Sequence, residues 1–162
     1  MFSLLKRLAT VPTLLIALAG CGPLTLFFLL NVPDRLARTM GYTGEQSMFA
    51  LDAHPCSPEA TYELLTDYGE TGRRATIVLH LLFDMIFPVS YMLFFSNFFT
   101  LLAHSTRTVP WLWRWAAVLP WLVGCSDLLE NTGIITIAHS YPSERRLLAQ
   151  LTSVATGLPC RR

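Results

Sequence analysis

The sequence predicts an all-α integral membrane bundle of three spanning helices, with a surface helix in the first loop and an amphipathic helix near the C-terminus. Three observations predict it. The 162 residues are 52% hydrophobic and 14% charged, with a mean hydropathy of +0.45, too apolar a balance for a soluble domain of this size. Stretches of approximately 8–32, 75–103 and 109–138 are each long enough to cross a hydrocarbon layer as a helix. The segments outside them carry helix caps and apolar residues at three-to-four spacing. The chain therefore reads as a single membrane domain over residues 1–162.

The first span, Leu8 to Val32, is uncharged, follows Lys6 and Arg7, and is closed by Pro33 and Asp34. Leu18-Ala19-Gly20-Cys21 matches the lipobox of bacterial lipoprotein precursors. After Cys21, however, the chain continues as Gly-Pro-Leu-Thr-Leu-Phe-Phe-Leu-Leu rather than as a polar tether, so the segment is read as a retained helix. Pro12 and Pro23 are expected to bend it.

A polar connection from Asp34 to Arg74 follows, with one helix whose ends are readable. Ser57 is a good N-cap, Pro58 fits the first helical position, Glu59 complements the dipole, and Gly69 can take the left-handed conformation that stops the helix. Ala60, Leu64, Leu65 and Tyr68 give it an apolar face. Gly69 and Gly72 bracket the next turn. Arg73 and Arg74 can then snorkel to the interface or hold a phosphate or lipid headgroup at the mouth of the second span.

The second span, Ala75 to Ala103, contains His80, Asp84 and Pro88; the third, Val109 to Ala138, contains Pro120, Asp127 and Glu130. About five residues separate them, a connection short enough to force an antiparallel hairpin. Trp111, Trp113 and Trp115 with Arg114 cluster where an interfacial belt would sit. From Ser143 to Thr156, Leu147, Leu148, Leu151, Val154 and Ala155 recur at helical spacing before Gly157 and Pro159. This helix is too short to span and is expected at the interface or capping the bundle. The total count of flanking basic residues and the basic flank of the first helix point to opposite orientations, so none is assigned.

A net charge of +1 offers no field to recruit nucleic acid. Cys21, Cys56, Cys125 and Cys160 form no C-x-x-C pair and no zinc-finger spacing with His, so no redox motif, metal or cofactor is implied. A Cys56–Cys160 disulfide is conceivable.

An ionised group inside a span is disfavoured by on the order of 3 kcal/mol, so Asp84, Asp127 and Glu130 need a reason to be there and are the candidate catalytic groups. At 100° per residue, Thr76, His80, Asp84 and Tyr91 fall within about 80° on one helix face. Asp127 and Asn131 share a face of the next span, with Glu130 on a neighbouring line and Gly124 leaving room for close approach. Packed stripe to stripe, these groups would converge in one polar pocket, with His80, Tyr91, Asn131 and Arg73 as binding groups. A carboxyl kept protonated by burial can donate to an alkene or epoxide while a neighbouring carboxylate or imidazole accepts, which is the chemistry of isomerases and cyclases acting on lipophilic small molecules. The partners expected are membrane lipid and such a substrate. A proton or ion relay would need an oligomer or a partner membrane protein, because three spans alone enclose no pathway. The alternative is a non-catalytic membrane scaffold or partner subunit, with Asp84 and His80 a buried pair and Asp127, Glu130 and Asn131 holding helices together.

Tyr68-Gly69-Glu70-Thr71-Gly72-Arg73 before a span, Asp84-Met85-Ile86-Phe87-Pro88-Val89-Ser90-Tyr91 within it and Asp127-Leu128-Leu129-Glu130-Asn131 in the next resemble a group of small, uncharacterised multi-pass membrane proteins. The resemblance covers roughly residues 47 to 142. It implies a helical membrane bundle and treats the three motifs as a set, but the group has no established activity, so no reaction follows. Members of that group end in a further hydrophobic span where this chain has Gly157, Leu158, Pro159, Cys160, Arg161 and Arg162, an end that implies a lost fourth helix or a truncated four-helix bundle. Four-helix sterol isomerases and membrane terpene cyclases also place acids in a bundle, an analogy of architecture without a shared motif.

Overall fold

A computed structural model describes residues 9–53, 57–105 and 110–155, and side chains for 9–51, 57–103 and 115–152; helices joined by turns make up these residues, with no strand among them. The expectations for Lys6, Arg7, the Cys56–Cys160 pairing, the Gly157 and Pro159 stop signals and the side chains of Trp111, Trp113 and Arg114 lie outside the described residues. The chain forms two compact units, Met1–Leu26 with Ile86–Cys125 and Phe27–Met85 with Ser126–Arg162.

Helix α1 spans Val11–Leu29 and keeps Gly20 and Cys21 inside it. Asn31, left-handed at φ 50°, then breaks the chain, and helix α2 starts at once over Val32–Thr39. The sequence reading had Pro33 and Asp34 close the first span into a polar connection. Proline does oppose continuation of a helix, but it fits a first turn, and that is where Pro33 stands. The carboxylate of Asp34 reaches across the following loop, accepting from Met48 N–H at 2.8 Å and from the Ser47 hydroxyl at 3.2 Å. A short α3, Ala50–Ala53, follows.

Helix α4, Pro58–Leu79, begins as its sequence dictates: Ser57 is extended, and its Oγ accepts from Ala60 N–H at 3.2 Å. Gly69 was expected to stop this helix ahead of a turn closed by Gly72. It does break the helical geometry, with φ 62° and ψ −172°, a conformation open essentially to glycine alone, yet the helix resumes without an intervening loop. Gly72 has a different task. A Cβ there would lie 2.8 Å from the Tyr42 ring and 2.9 Å from Tyr68 Cβ, so its missing side chain admits the Tyr42–Tyr68 pair, stacked edge to face at 5.9 Å.

Arg73 reaches back over the break: its Nη1 donates to Leu65 O at 2.9 Å, while its guanidinium lies 4.1 Å from the centre of the Tyr141 ring. Arg74 pairs with Glu70 in the open, where such pairs contribute little. After α4 the chain makes a π-helical turn, His80–Asp84, and continues as α5, Ile86–Ser105; α6 is Pro110–Ser140 and α7 is Arg146–Ala155.

In the first unit α5 and α6 pair antiparallel, as their short connection requires: Ser96 Oγ donates to Ala117 O at 2.7 Å and accepts from Trp121 Nε1 at 2.9 Å, and Met92 packs on Gly124. In the second unit the core gathers Met48, Leu51, Leu65, Tyr68, Leu79, Ile134, Ile137 and Ala149. Helix α7 was expected to start at Ser143. It begins at Arg146, with the Arg145 N–H ahead of it bonded to the Tyr62 hydroxyl. Ala149 is its buried contact, Gly133 on α6 admits Thr152, and Leu147 and Leu151 face outward.

Large apolar side chains point away from the protein along the long helices, with Ile16 73%, Leu29 70% and Leu129 70% exposed, while Thr76, His80, Ser96, Thr100, Glu130 and Asn131 are buried. Among the described residues, two helices are long and apolar enough to cross a membrane by length and composition, α1 and the run Pro58–Ala103. The Gly69 break marks off the polar first part of that run.

Replacing Arg73 with Ala should lower stability by roughly 1–2 kcal/mol, through the lost hydrogen bond to Leu65 O and the lost ring contact, and Lys should recover only part of it; unfolding in mixed micelles measures both. Glu59 supplies a pH test. Its carboxyl is held below the ordinary carboxylate value by hydrogen bonds from its own backbone N–H and the Ser57 hydroxyl, with help from Arg146. A carboxyl depressed in the folded state contributes stability above its unfolded pKa and loses it as pH falls through the folded one. A carboxyl NMR titration should therefore place Glu59 low, and Ser57→Ala should move it back up.

Candidate functional site

The site grows from the π-helical turn. Met85 N–H donates to His80 O at 2.8 Å, an i to i−5 bond that inserts one residue relative to an α-helix. The turn therefore ends a helical wheel drawn at 100° per residue. Pro88, four residues beyond Asp84, has no N–H to offer the Asp84 carbonyl. Asn131 supplies the donor instead, its Nδ2 lying 2.9 Å from Asp84 O. One backbone carbonyl thus joins the turn to α6, and both partners belong to the second unit.

His80 is wholly buried. Its Nδ1 lies 2.9 Å from Thr76 O. A carbonyl can only accept, so Nδ1 carries the hydrogen and Nε2 is left as the lone-pair position. That nitrogen sits 3.8 Å from Asp84 Oδ2, within ion-pair range and beyond hydrogen-bond length. The Phe49 ring covers the imidazole at 4.8 Å and 33°, and Thr76 Oγ1 donates to Met48 Sδ at 3.8 Å. Phe27 stacks on Phe83 at 4.3 Å, beside Asp84 in the chain. The Asp84 side chain is 14% exposed and that of His80 is not exposed at all, so the carboxylate is the accessible member of the pair.

Of the sequence-predicted residues, the structure brings together His80, Asp84 and Asn131. Glu130 is buried next to Asn131 on α6, and Asp127 is half-buried one turn earlier. Among the described residues, no three of His, Cys, Asp and Glu are grouped as a metal ion would require. Tyr91 belongs to the first unit, where its ring meets Phe87 edge to face at 5.5 Å and lines a groove of about 320 Å³ with Phe95, Phe99, Ala116, Leu119, Pro120 and Val123. Arg73 is engaged by Leu65 O and Tyr141.

Sequence reasoning missed Phe49 and Met48, which reach His80 and Thr76 from a loop distant in the chain and carry no periodic signal. It also missed the π turn, although Pro88 shortly after two polar residues was the available cue. Comparison with protein-family models, with curated proteins and with solved structures finds no match for the chain.

Asn131→Leu should cost about 1 kcal/mol, the order measured for hydrogen bonds between membrane helices. The cost should shrink in a Pro88→Ala background, where residue 88 regains an N–H. Equal costs in the two backgrounds, measured as a double-mutant cycle of unfolding, would mean that Asn131 does not serve the Asp84 carbonyl.

Proposed function

We propose that the chain is a multi-pass integral membrane protein with three spans, α1, the apolar part of the helical run from residue 75 to 103, and α6, and that Asp84 is an acid/base group acting on a lipophilic small molecule. The observation that carries this reading is Asp84 itself: a carboxylate with partial access, on a π-helical turn, beside a buried imidazole, in a helix whose outward side chains are apolar. π turns inside α-helices are frequent at functional sites. Polar groups turned inward under an apolar exterior suit a lipid solvent. The resemblance of residues 47–142 to small multi-pass membrane proteins supports the same placement.

The reaction class is proton transfer of the isomerase or cyclase type. Asp84 gives or takes the proton, and Glu130 and Asp127 on α6 are the further carboxylates available to balance or return it. Asn131 fixes the backbone on which Asp84 is carried, and the apolar surroundings favour a hydrocarbon substrate over a polar one.

A second reading has its own support, since the Asn131–Asp84 carbonyl bond serves the bundle whether or not chemistry occurs: the chain would then be a non-catalytic membrane scaffold or partner subunit. The two separate in one experiment. Asp84→Asn and Asp127→Asn are each produced beside the wild type, membrane accumulation is followed by fractionation, and lipid extracts are compared by mass spectrometry. Under the catalytic reading the Asp84 variant accumulates normally while product falls about a hundredfold, the lower range for loss of a general acid or base. Joint loss of accumulation by both variants, with no product change ahead of it, supports the scaffold.

A further inference from the structure

We propose that α7 is inserted in the bilayer rather than laid along its surface. It enters at the level of Arg145 and Arg146 and returns along α6 about 10 Å into the hydrocarbon, where Leu147 and Leu151 meet lipid acyl chains. This rests on the three-span placement proposed above and goes beyond it, since α7 is none of the three spans.

The depth scale comes from two contacts within the second unit. Asn131 on α6 is bonded to the Asp84 carbonyl, and the Arg73 guanidinium lies on the ring of Tyr141, just past the α6 end. Arg73 precedes Asp84 by eleven residues and Tyr141 follows Asn131 by ten. The two helices therefore run antiparallel in nearly constant register, and Gly133 stands level with Leu82. Along α4 and the π turn, Arg74 is exposed, whereas the exposed side chains from Val78 through Leu81 to Leu82 are apolar. That change puts the water boundary close to Arg74 and Leu82 in the hydrocarbon.

Helix α6 ends at Ser140, yet Thr152 of α7 fills the notch left by the absent side chain of Gly133, seven residues back. At 1.5 Å per residue that return is about 10 Å, against about 15 Å for the hydrocarbon of one leaflet. The other end of α7 starts among polar groups. The Arg145 N–H is bonded to the Tyr62 hydroxyl, and Arg146 pairs with Glu144 at 2.9 Å and with Glu59 at 3.8 Å. Between the ends Ala149 is buried in the core, while Leu147 and Leu151, one turn apart, are 74% and 60% exposed. Acyl chains are the occupant that fits this face. Its apolar surface is continuous in depth with Leu81 and Leu82, and the exposed Arg145 and Arg146 at its entrance complement headgroup phosphates. Two leucines supply only a small part of the roughly 800 Å² per partner that a stable dimer buries.

The test is the depth of spin labels on the full-length chain, its own cysteines replaced by alanine, in phosphatidylcholine–phosphatidylglycerol vesicles. Labels are attached to Leu147→Cys, Leu151→Cys and, as a reference, Leu82→Cys; all three positions are exposed, so no packed side chain is displaced. Relaxation by membrane-soluble oxygen against a water-soluble nickel complex gives each depth. The Leu151 label should lie within about one helical turn of the Leu82 label and about 6 Å deeper than the Leu147 label. Equal, shallow depths at Leu147 and Leu151 with a deep Leu82 overturn the insertion, leave α7 on the surface and keep the three-span reading. Shielding of both α7 labels from oxygen and nickel alike overturns the lipid contact, because protein then covers the face. A Leu82 label open to the nickel complex overturns the span placement itself, and the insertion with it.

Discussion

Hydrogen bonding under an apolar exterior is the constraint on which this structure depends. Side chains such as Ile16, Leu29 and Leu129 face outward, so polar groups along the helices must find partners inside the protein. Among the described residues no buried side-chain nitrogen or oxygen is left without a hydrogen-bond partner. The backbone obeys the same rule at its two interruptions. At Gly69 the helix breaks and Arg73 returns to the Leu65 carbonyl; at Pro88 the ladder lacks a donor and Asn131 reaches the Asp84 carbonyl from another helix. In each case a side chain adds a bond to a main-chain carbonyl, and at Pro88 it is one that residue 88 itself cannot make.

The second of these repairs is also where chemistry becomes available. A π-helical turn widens the helix where His80 and Asp84 stand four residues apart, and the Asn131 bond ties that turn to α6. An unpaired carboxylate here would be disfavoured by several kcal/mol. The His80 imidazole lies within ion-pair range of the carboxylate, at 3.8 Å, so a buried polar group stands beside it. The proposed acid/base function and the stability of the bundle therefore draw on the same atoms. The separating measurement reads a product because folding alone does not tell the two roles apart.

Much of this was legible in the residues. The apolar stretches became α1, the helical run through residue 103 and α6; Ser57 and Pro58 began α4 where the capping rules place them; and the short connection after α5 gave antiparallel pairing, seen at Ser96 with Ala117 and Trp121. The meeting of His80 with Asp84 followed from four-residue spacing. Less legible were the continuation of the helix past Gly69 and the new helix after Asn31. A single left-handed residue is the same local signal whether the next residues turn away or resume the helix.

The sequence by itself determined the helical class, the apolar faces and the suspicion attached to Asp84, because periodicity, capping and the disfavour of buried charge are local properties of residue types. Only the tertiary structure decided what each polar group bonds to. Arg73 faced a carbonyl and an aromatic ring, Asn131 found a backbone oxygen, and Phe49 closed over His80 from a distant loop. Those partners are far apart in the chain. Their pairing depends on which helix faces meet and on where proline and glycine leave the main chain short of a hydrogen bond, and neither can be read from a window of neighbouring residues.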